Sequence, residues 1–284
     1  MDVMITSLDH IVLLTGDIEV GVRTYQTLLG VEPAWRTRGD GVATAVFTFA
    51  NMSLELMAPD GDGTGAQRVK AAIETDGEGL ASLAVRVDDM ARDHRRLDRV
   101  GLQMEAIADA GSTNLLDGAT LSWQRTRTAT AASNGIRLFA LKLHGERPRS
   151  KATCAAPITG LDHVVIATAQ PDKAMALYGA KLGLEMVRDL NRPDWNARLM
   201  FFRCGDLIFE VMQRLDRPVS DKPDRLWGLS WRVANADAAR KRLAADGVDV
   251  SEVKAGRLPG TRVFTARNGT CGVPTLVIEP QQRR

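Results

Sequence analysis

Histidine and glutamate are the side chains whose placement points to chemistry. The 284-residue chain holds only four histidines, and two of them stand in nearly the same run: His10 in LDHIV and His163 in LDHVV. Each is followed by a glutamate in a second shared run, Glu55 in SLELM and Glu210 in IFEVM. A histidine changes charge near neutral pH. A carboxylate beside it can move a proton or serve as a metal donor. Two arginines also repeat, Arg86 in LAVRV and Arg232 in LSWRV. Each is either an anchor for an anionic substrate or an ordinary exposed strand arginine. Trp123, Arg125 and Arg127 alternate on one strand and would extend such a rim, or else lie on the surface. The charged run 92–96 reads as a solvated helix face, and Ser82 has no basic partner nearby in sequence to make it a nucleophile.

These residues recur because the chain contains itself twice. Residues 7–33 and 160–186 align without a gap. His163 less His10 is 153, as is Tyr178 less Tyr25 and Gly183 less Gly30. The basic, Pro-containing stretch 144–157 (HGERPRSKATCAAP) lacks apolar periodicity and reads as the join. The expected organisation is therefore one domain over 1–145, a linker over 146–157 and a second domain over 158–284.

The elements that must position the candidates follow from periodicity. The runs 8–13, 33–37, 42–49, 52–57, 80–87, 103–108, 120–128 and 135–143 predict strands. Apolar spacing predicts helices over 18–29, stopped by Gly30, and over 89–100, closed by Gly101. GDGTG (61–65) lacks the surroundings of a phosphate loop and is expected to be a mobile loop. Each half thus reads βαβββ twice, an α+β architecture. On the strands, His10 shares a face with Leu8 and Val12, and Glu55 with Ser53 and Met57.

The LDHIV/LDHVV runs, the Tyr-x-x-x-Leu-Gly helix ends (Tyr25 to Gly30, Tyr178 to Gly183) and the LELM/FEVM runs together resemble the vicinal oxygen chelate superfamily. That superfamily includes glyoxalase I, bleomycin-resistance proteins, methylmalonyl-CoA epimerase and extradiol dioxygenases. The resemblance implies four βαβββ modules forming two glyoxalase-like domains with cupped mixed sheets. It also implies metal candidates at His10, Glu55, His163 and Glu210, with Glu55 or Glu210 as the proton-moving group. The usual partner positions carry Ser82, Phe139, Gly228 and Leu276, so each half offers one histidine and one glutamate. A catalytic metal usually has three protein ligands or more. Four readings stay open: a hydrogen-bonded His–Glu pair; an atypical divalent-metal site completed by water or substrate; a single joined His-Glu-His-Glu set; and metal-free catalysis. An extradiol oxygenase is not expected, because neither half supplies two histidines and a carboxylate. The implied function is glyoxalase-like proton transfer, of lyase or isomerase type, on a small oxygenated metabolite. The alternative is a metal-free binding protein of the bleomycin-resistance type.

Composition sets the outer bounds. Basic residues number 37 and acidic residues 35, which disfavours general binding to nucleic acid or membrane. The partner expected is a small molecule. No apolar run reaches the roughly 18–20 residues of a membrane span, and the start has no secretory pattern, so a cytoplasmic location is expected. Cys154, Cys204 and Cys271 form no disulfide framework or zinc knuckle. Duplication makes a monomer feasible; a homodimer is the other expectation.

Overall fold

A computed structural model describes residues 5–281. The first half runs β1 (Ile5–Leu14), α1 (Ile18–Leu29), β2 (Trp35–Gly39), β3 (Val42–Thr48), β4 (Ser53–Pro59), α2 (Thr64–Asp76), β5 (Gly79–Val87), α3 (Met90–Leu97), β6 (Ala108–Thr113), β7 (Thr120–Arg127) and β8 (Arg137–His144). The second half repeats the theme with β9 (Ile158–Thr168), α4 (Pro171–Met175), β10 (Glu185–Arg192), β11 (Ala197–Cys204), β12 (Leu207–Arg214), β13 (Arg225–Val233), α5 (Ala236–Ala245), β14 (Lys254–Ala255), β15 (Arg262–Ala266) and β16 (Thr275–Glu279). The strands form two eight-stranded mixed sheets, ordered β2-β3-β4-β1-β5-β8-β7-β6 and β10-β11-β12-β9-β13-β16-β15-β14. Each sheet is two βαβββ modules joined at their first strands, β1 against β5 and β9 against β13, both antiparallel. The α+β architecture is what the sequence rhythm implies, and the four modules in two sheets are what the family resemblance implies.

Alternation decides which face of each strand is buried. Ile11 and Leu13 are fully buried and join the main apolar core, as do Leu54 and Leu56 on β4. Helix α1 presents Val22, Tyr25, Leu28 and Leu29 to that core. Asp17 caps its start by accepting from the backbone of Glu19 and Val20. Gly30 ends it at φ 68°, a left-handed conformation that glycine adopts without strain. A Cβ there would also lie 2.4 Å from Cys154 Sγ. The core runs unbroken from one half into the other: Phe49 packs on Trp231 at 5.5 Å between ring centroids. Arg242 of α5 donates to the terminal carbonyls of α1, Thr27 at 2.5 Å and Leu28 at 3.0 Å. The helical sides of the sheets therefore face each other, which leaves the His-bearing faces pointing away.

Several expectations need correction. The Gly61–Gly65 segment is no free loop. A Cβ on Gly63 or Gly65 would strike the Asp40 backbone at 2.8 or 2.5 Å, so the turn is packed. It leads into α2, whose Ala66, Val69 and Ala72 recur at helical spacing and are buried. The join is no loose tether either: Ser150 N donates to Thr48 O, Glu32 N to Lys151 O and Thr153 N to Gly30 O. It lies as a strap along the first half. The strand expected at 103–108 forms five residues later, as β6. Within the charged run 92–96, Asp93 is 1% exposed and bonded to Arg92, so that face is only partly solvated.

Candidate functional site

The concave face of each sheet carries one Asp-His-Glu line. On β1, His10 lies opposite Ser53 of β4, and Val12 opposite Glu55. Glu55 Oε2 comes 3.4 Å from His10 Nε2. On β9, His163 meets Glu210 of β12 at the same 3.4 Å. The ring's other nitrogen is held by the preceding residue: His10 Nδ1 to Asp9 Oδ1 at 2.7 Å, His163 Nδ1 to Asp162 Oδ1 at 2.9 Å.

Strict alternation would send Asp9 to the opposite face from His10. A β-bulge prevents this. Leu8 pairs with Val85 and His10 with Ala84, so Asp9 is the extra residue and can lean toward the imidazole. The second sheet bulges at the matching place: Leu161 pairs with Trp231 and His163 with Ser230, leaving Asp162 unpaired. Strand parity finds His and Glu; only the pairing register reveals the aspartates.

Each aspartate also takes the repeated arginine. Arg86 Nη2 lies 2.8 Å from Asp9 Oδ2, and Arg232 Nε 3.0 Å from Asp162 Oδ2. Arg147 of the strap adds a further bond to Asp9, at 2.5 Å. Burial by itself would raise the Asp9 carboxyl. The His10 hydrogen bond and the charges of His10 and Arg147 outweigh it and hold the group well below the usual carboxylate range. At Asp162 burial again opposes, and His163 and Arg232 again win. Arg86 and Arg232 thus clamp the aspartates. Trp123 packs with Leu143 against Trp35, Val46 and Leu121, and Arg127 pairs with Glu105 at 2.5 Å.

A hydroxyl distinguishes the second line. Ser230 Oγ lies 2.7 Å from His163 Nε2. An ionised Asp162 only accepts, so Nδ1 carries a proton; in the neutral ring Nε2 is then bare and Ser230 donates to it. The residue opposite His10 is Ala84. Sequence reasoning passed over Ser230, because its counterpart in the first half is an alanine; its place in LSWRV two residues before Arg232 was the available signal.

The two concave faces are also closed differently. The ends of the first sheet are tied together: Trp35 Nε1 donates to Ser112 Oγ at 3.1 Å and Arg36 N to Asn114 Oδ1 at 3.0 Å. Trp35, Val46 and Leu121 are buried between them. Helix α2 lays Val69 and Ala72 on Val12 and Leu14, over the same face. In the second sheet no helix stands between β12 and β13. Its ends approach through Trp195, whose ring centroid has the guanidinium carbons of Arg192 and Arg257 at 3.7 and 4.0 Å. Strand β10 is largely exposed.

The donors do not fit a divalent ion. Ser82 and Phe139 stand at the partner positions of the first face, Gly228 and Leu276 at those of the second, and one His with one Glu remains in each. Among the described residues, no three His, Cys, Asp or Glu side chains group as metal ligands. Each histidine meets the glutamate of its own sheet, and the four do not gather into one set. The cysteines are free, and burial pushes Cys204 up to about 12. No helix among the described residues is long and apolar enough to cross a membrane.

Comparison with known proteins agrees with this architecture. The model for the glyoxalase-like domain matches residues 8–160. The model for the Glyoxalase/Bleomycin resistance protein/Dioxygenase superfamily matches residues 162–265. No curated protein sequence matches the chain. Among solved structures, a variant of 4-hydroxymandelate synthase from Streptomyces coelicolor superposes with a TM-score of 0.72 at 16% identity, covering 99% of this chain and 94% of that one. A hypothetical protein from Staphylococcus aureus gives 0.64 at 8% identity, covering 95% and 98%. A xylose isomerase-like TIM barrel/4-hydroxyphenylpyruvate dioxygenase fusion protein gives 0.63 at 14% identity, covering 99% of this chain and 50% of that one. At these identities the likeness is one of fold. With two matched domains in tandem and modules in the order the sequence repeats, the chain belongs to the vicinal oxygen chelate superfamily, as a two-domain glyoxalase-like member.

Proposed function

We propose that the second concave face is a proton-transfer site for a small oxygenated metabolite, of lyase or isomerase type. Glu210 moves the proton. His163 is held in one orientation by Asp162 and Ser230 and stands beside Glu210, its Nε2 3.4 Å from the carboxylate. The observation that carries this reading is the His163–Glu210 pair at 3.4 Å, 16% and 12% exposed, on the face without a covering helix. General acid–base catalysis needs a titratable group positioned at hydrogen-bond reach of the substrate, and Glu210 can fill that role without a metal.

A second reading, a metal-free binding protein, is favoured by Leu276 and Gly228, which make part of the same face unreactive. One experiment separates the two. The protein is incubated in D2O with pyruvate, L-lactate, 2-oxoglutarate or the hemithioacetal of methylglyoxal and glutathione, and loss of the C–H signal is followed by NMR. The expected result is exchange with at least one probe. Glu210→Gln should slow it about a hundredfold or more, while Glu55→Gln leaves it near the wild-type rate. Loss on Glu55→Gln alone would assign the chemistry to the first face. A probe that raises the melting temperature without exchanging would replace the enzyme reading with the binding one.

A further inference from the structure

Strand register lays the two concave faces side by side, rung by rung, because residues directly opposite on neighbouring strands share a face. In the second sheet one rung reads Arg188, Phe201, Glu210, and the next Leu190, Leu199, Met212. In the first sheet the matching rungs read Trp35, Val46, Glu55 and Thr37, Thr44, Met57. The same glutamate thus stands in two different surroundings.

Around Glu55 the neighbours are occupied with one another. Trp35 and Val46 are 5% and 6% exposed, and Trp35 is tied to Ser112. Thr37 and Thr44 hydrogen-bond each other at 2.8 Å. Around Glu210 leucines replace that threonine pair, and Leu190, Phe201 and Met212 are only half-buried. Half-buried Ile208 and Leu276 continue the apolar surface on the rung of His163 and Ser230. Open apolar side chains around a few convergent polar groups are the lining of a small-ligand site.

Arg188 supplies a charge to this lining. The next residue, Asp189, turns to the helical side, where it pairs with Arg198 at 2.7 Å and Arg198 reaches Met175 of α4. Alternation therefore projects Arg188 on the open side. It is exposed and has no ion-pair partner among the described residues, whereas Arg86 and Arg232 are held by the aspartates. Two strand spacings, about 10 Å, separate its backbone from that of Glu210, and Phe201 lies between them.

A free guanidinium, an aromatic ring and a carboxylate in one row are complementary to a molecule with an anionic end and an apolar body. We propose that the second face takes a small carboxylate of this kind, its carboxylate on Arg188, its body across Phe201 and Leu190, and its oxygenated carbon at Glu210. The assignment names the substrate class of the proton-transfer site and rests on that reading for the reacting end.

Isothermal titration with three probes tests it: 4-phenylbutyrate, 4-phenylbutan-1-ol (no carboxylate) and butyrate (no ring). 4-Phenylbutyrate should bind at least about tenfold more tightly than either, the effect of one charged hydrogen bond or one buried ring. Arg188→Gln should lower 4-phenylbutyrate to the affinity of the alcohol and leave the alcohol unchanged, which a loss of fold would not do. Phe201→Ala, at a half-buried position, should fold and weaken 4-phenylbutyrate about tenfold or more. Undiminished binding by either folded variant, or 4-phenylbutyrate binding no more tightly than butyrate or the alcohol, would overturn the proposal. Titration reads binding without turnover, so the two readings fail separately. Binding as described with no exchange in D2O removes the proton-transfer reading alone. Exchange that depends on Glu210, with no 4-phenylbutyrate binding, removes this assignment alone.

Discussion

In the first sheet Asp9 is 1% exposed and receives His10, Arg86 and Arg147. In the second, the Asp162 side chain is 24% exposed and receives His163 and Arg232, the latter shared with Asp206. The first face is tied at its ends and covered by α2; the second is spanned by a Trp195 stack at the surface. The aspartate of the line thus sits once in a buried, heavily braced setting and once in a more accessible one, while the His–Glu pairs are exposed to similar degrees. Duplication lets two copies of one line be braced to different degrees, and the more lightly braced copy is the one to which the proposed chemistry is assigned.

Three measurements could break that comparison. Asp9→Ala removes the buried carboxylate shared by His10, Arg86 and Arg147 and should cost about 3–5 kcal/mol, against about 1 kcal/mol for Asp162→Ala at its more exposed site. Urea unfolding gives both values, and equal losses would erase the distinction between a braced and an open copy. Acid should discriminate next. Asp9 is depressed in the folded state, so its stabilisation is complete above its unfolded pKa of about 4 and is lost as the pH falls below it toward the folded value. Hydrogen exchange near pH 3 should show β1 and β5 losing protection relative to their values at pH 6, and unchanged protection there would contradict it. The smallest contrast concerns the coverings. Val69→Ala, beneath α2, should lose about 2 kcal/mol. Trp195→Ala, which removes surface cation–π contacts, should lose about 1 kcal/mol. A larger loss at Trp195 would mean that the second face is closed as firmly as the first.

Local periodicity made much of this legible. Alternation put His10 with Glu55 and His163 with Glu210 on common faces, and the repeat gave the module order. Asp9 and Asp162 escaped because a bulge is a property of pairing between strands, invisible in one strand's pattern. The helix α2 was hidden behind the glycines that precede it, although Ala66, Val69 and Ala72 carry its spacing. Ser230 escaped because a search for sameness overlooks the place where the copies differ. The Trp35–Ser112 tie joins residues 77 apart, and no local signal announces it.

The strap has a consequence for cutting the protein in two. Arg147 lies beyond the last strand of the first sheet, yet its guanidinium neutralises an aspartate inside that sheet. A fragment ending at residue 145 would keep every strand and lose that counter-charge, along with the backbone bonds of Ser150, Lys151 and Thr153 to β3, Glu32 and Gly30. The first half therefore extends past its last strand, which ends at His144, through the counter-charge of Arg147 to the backbone bond of Thr153.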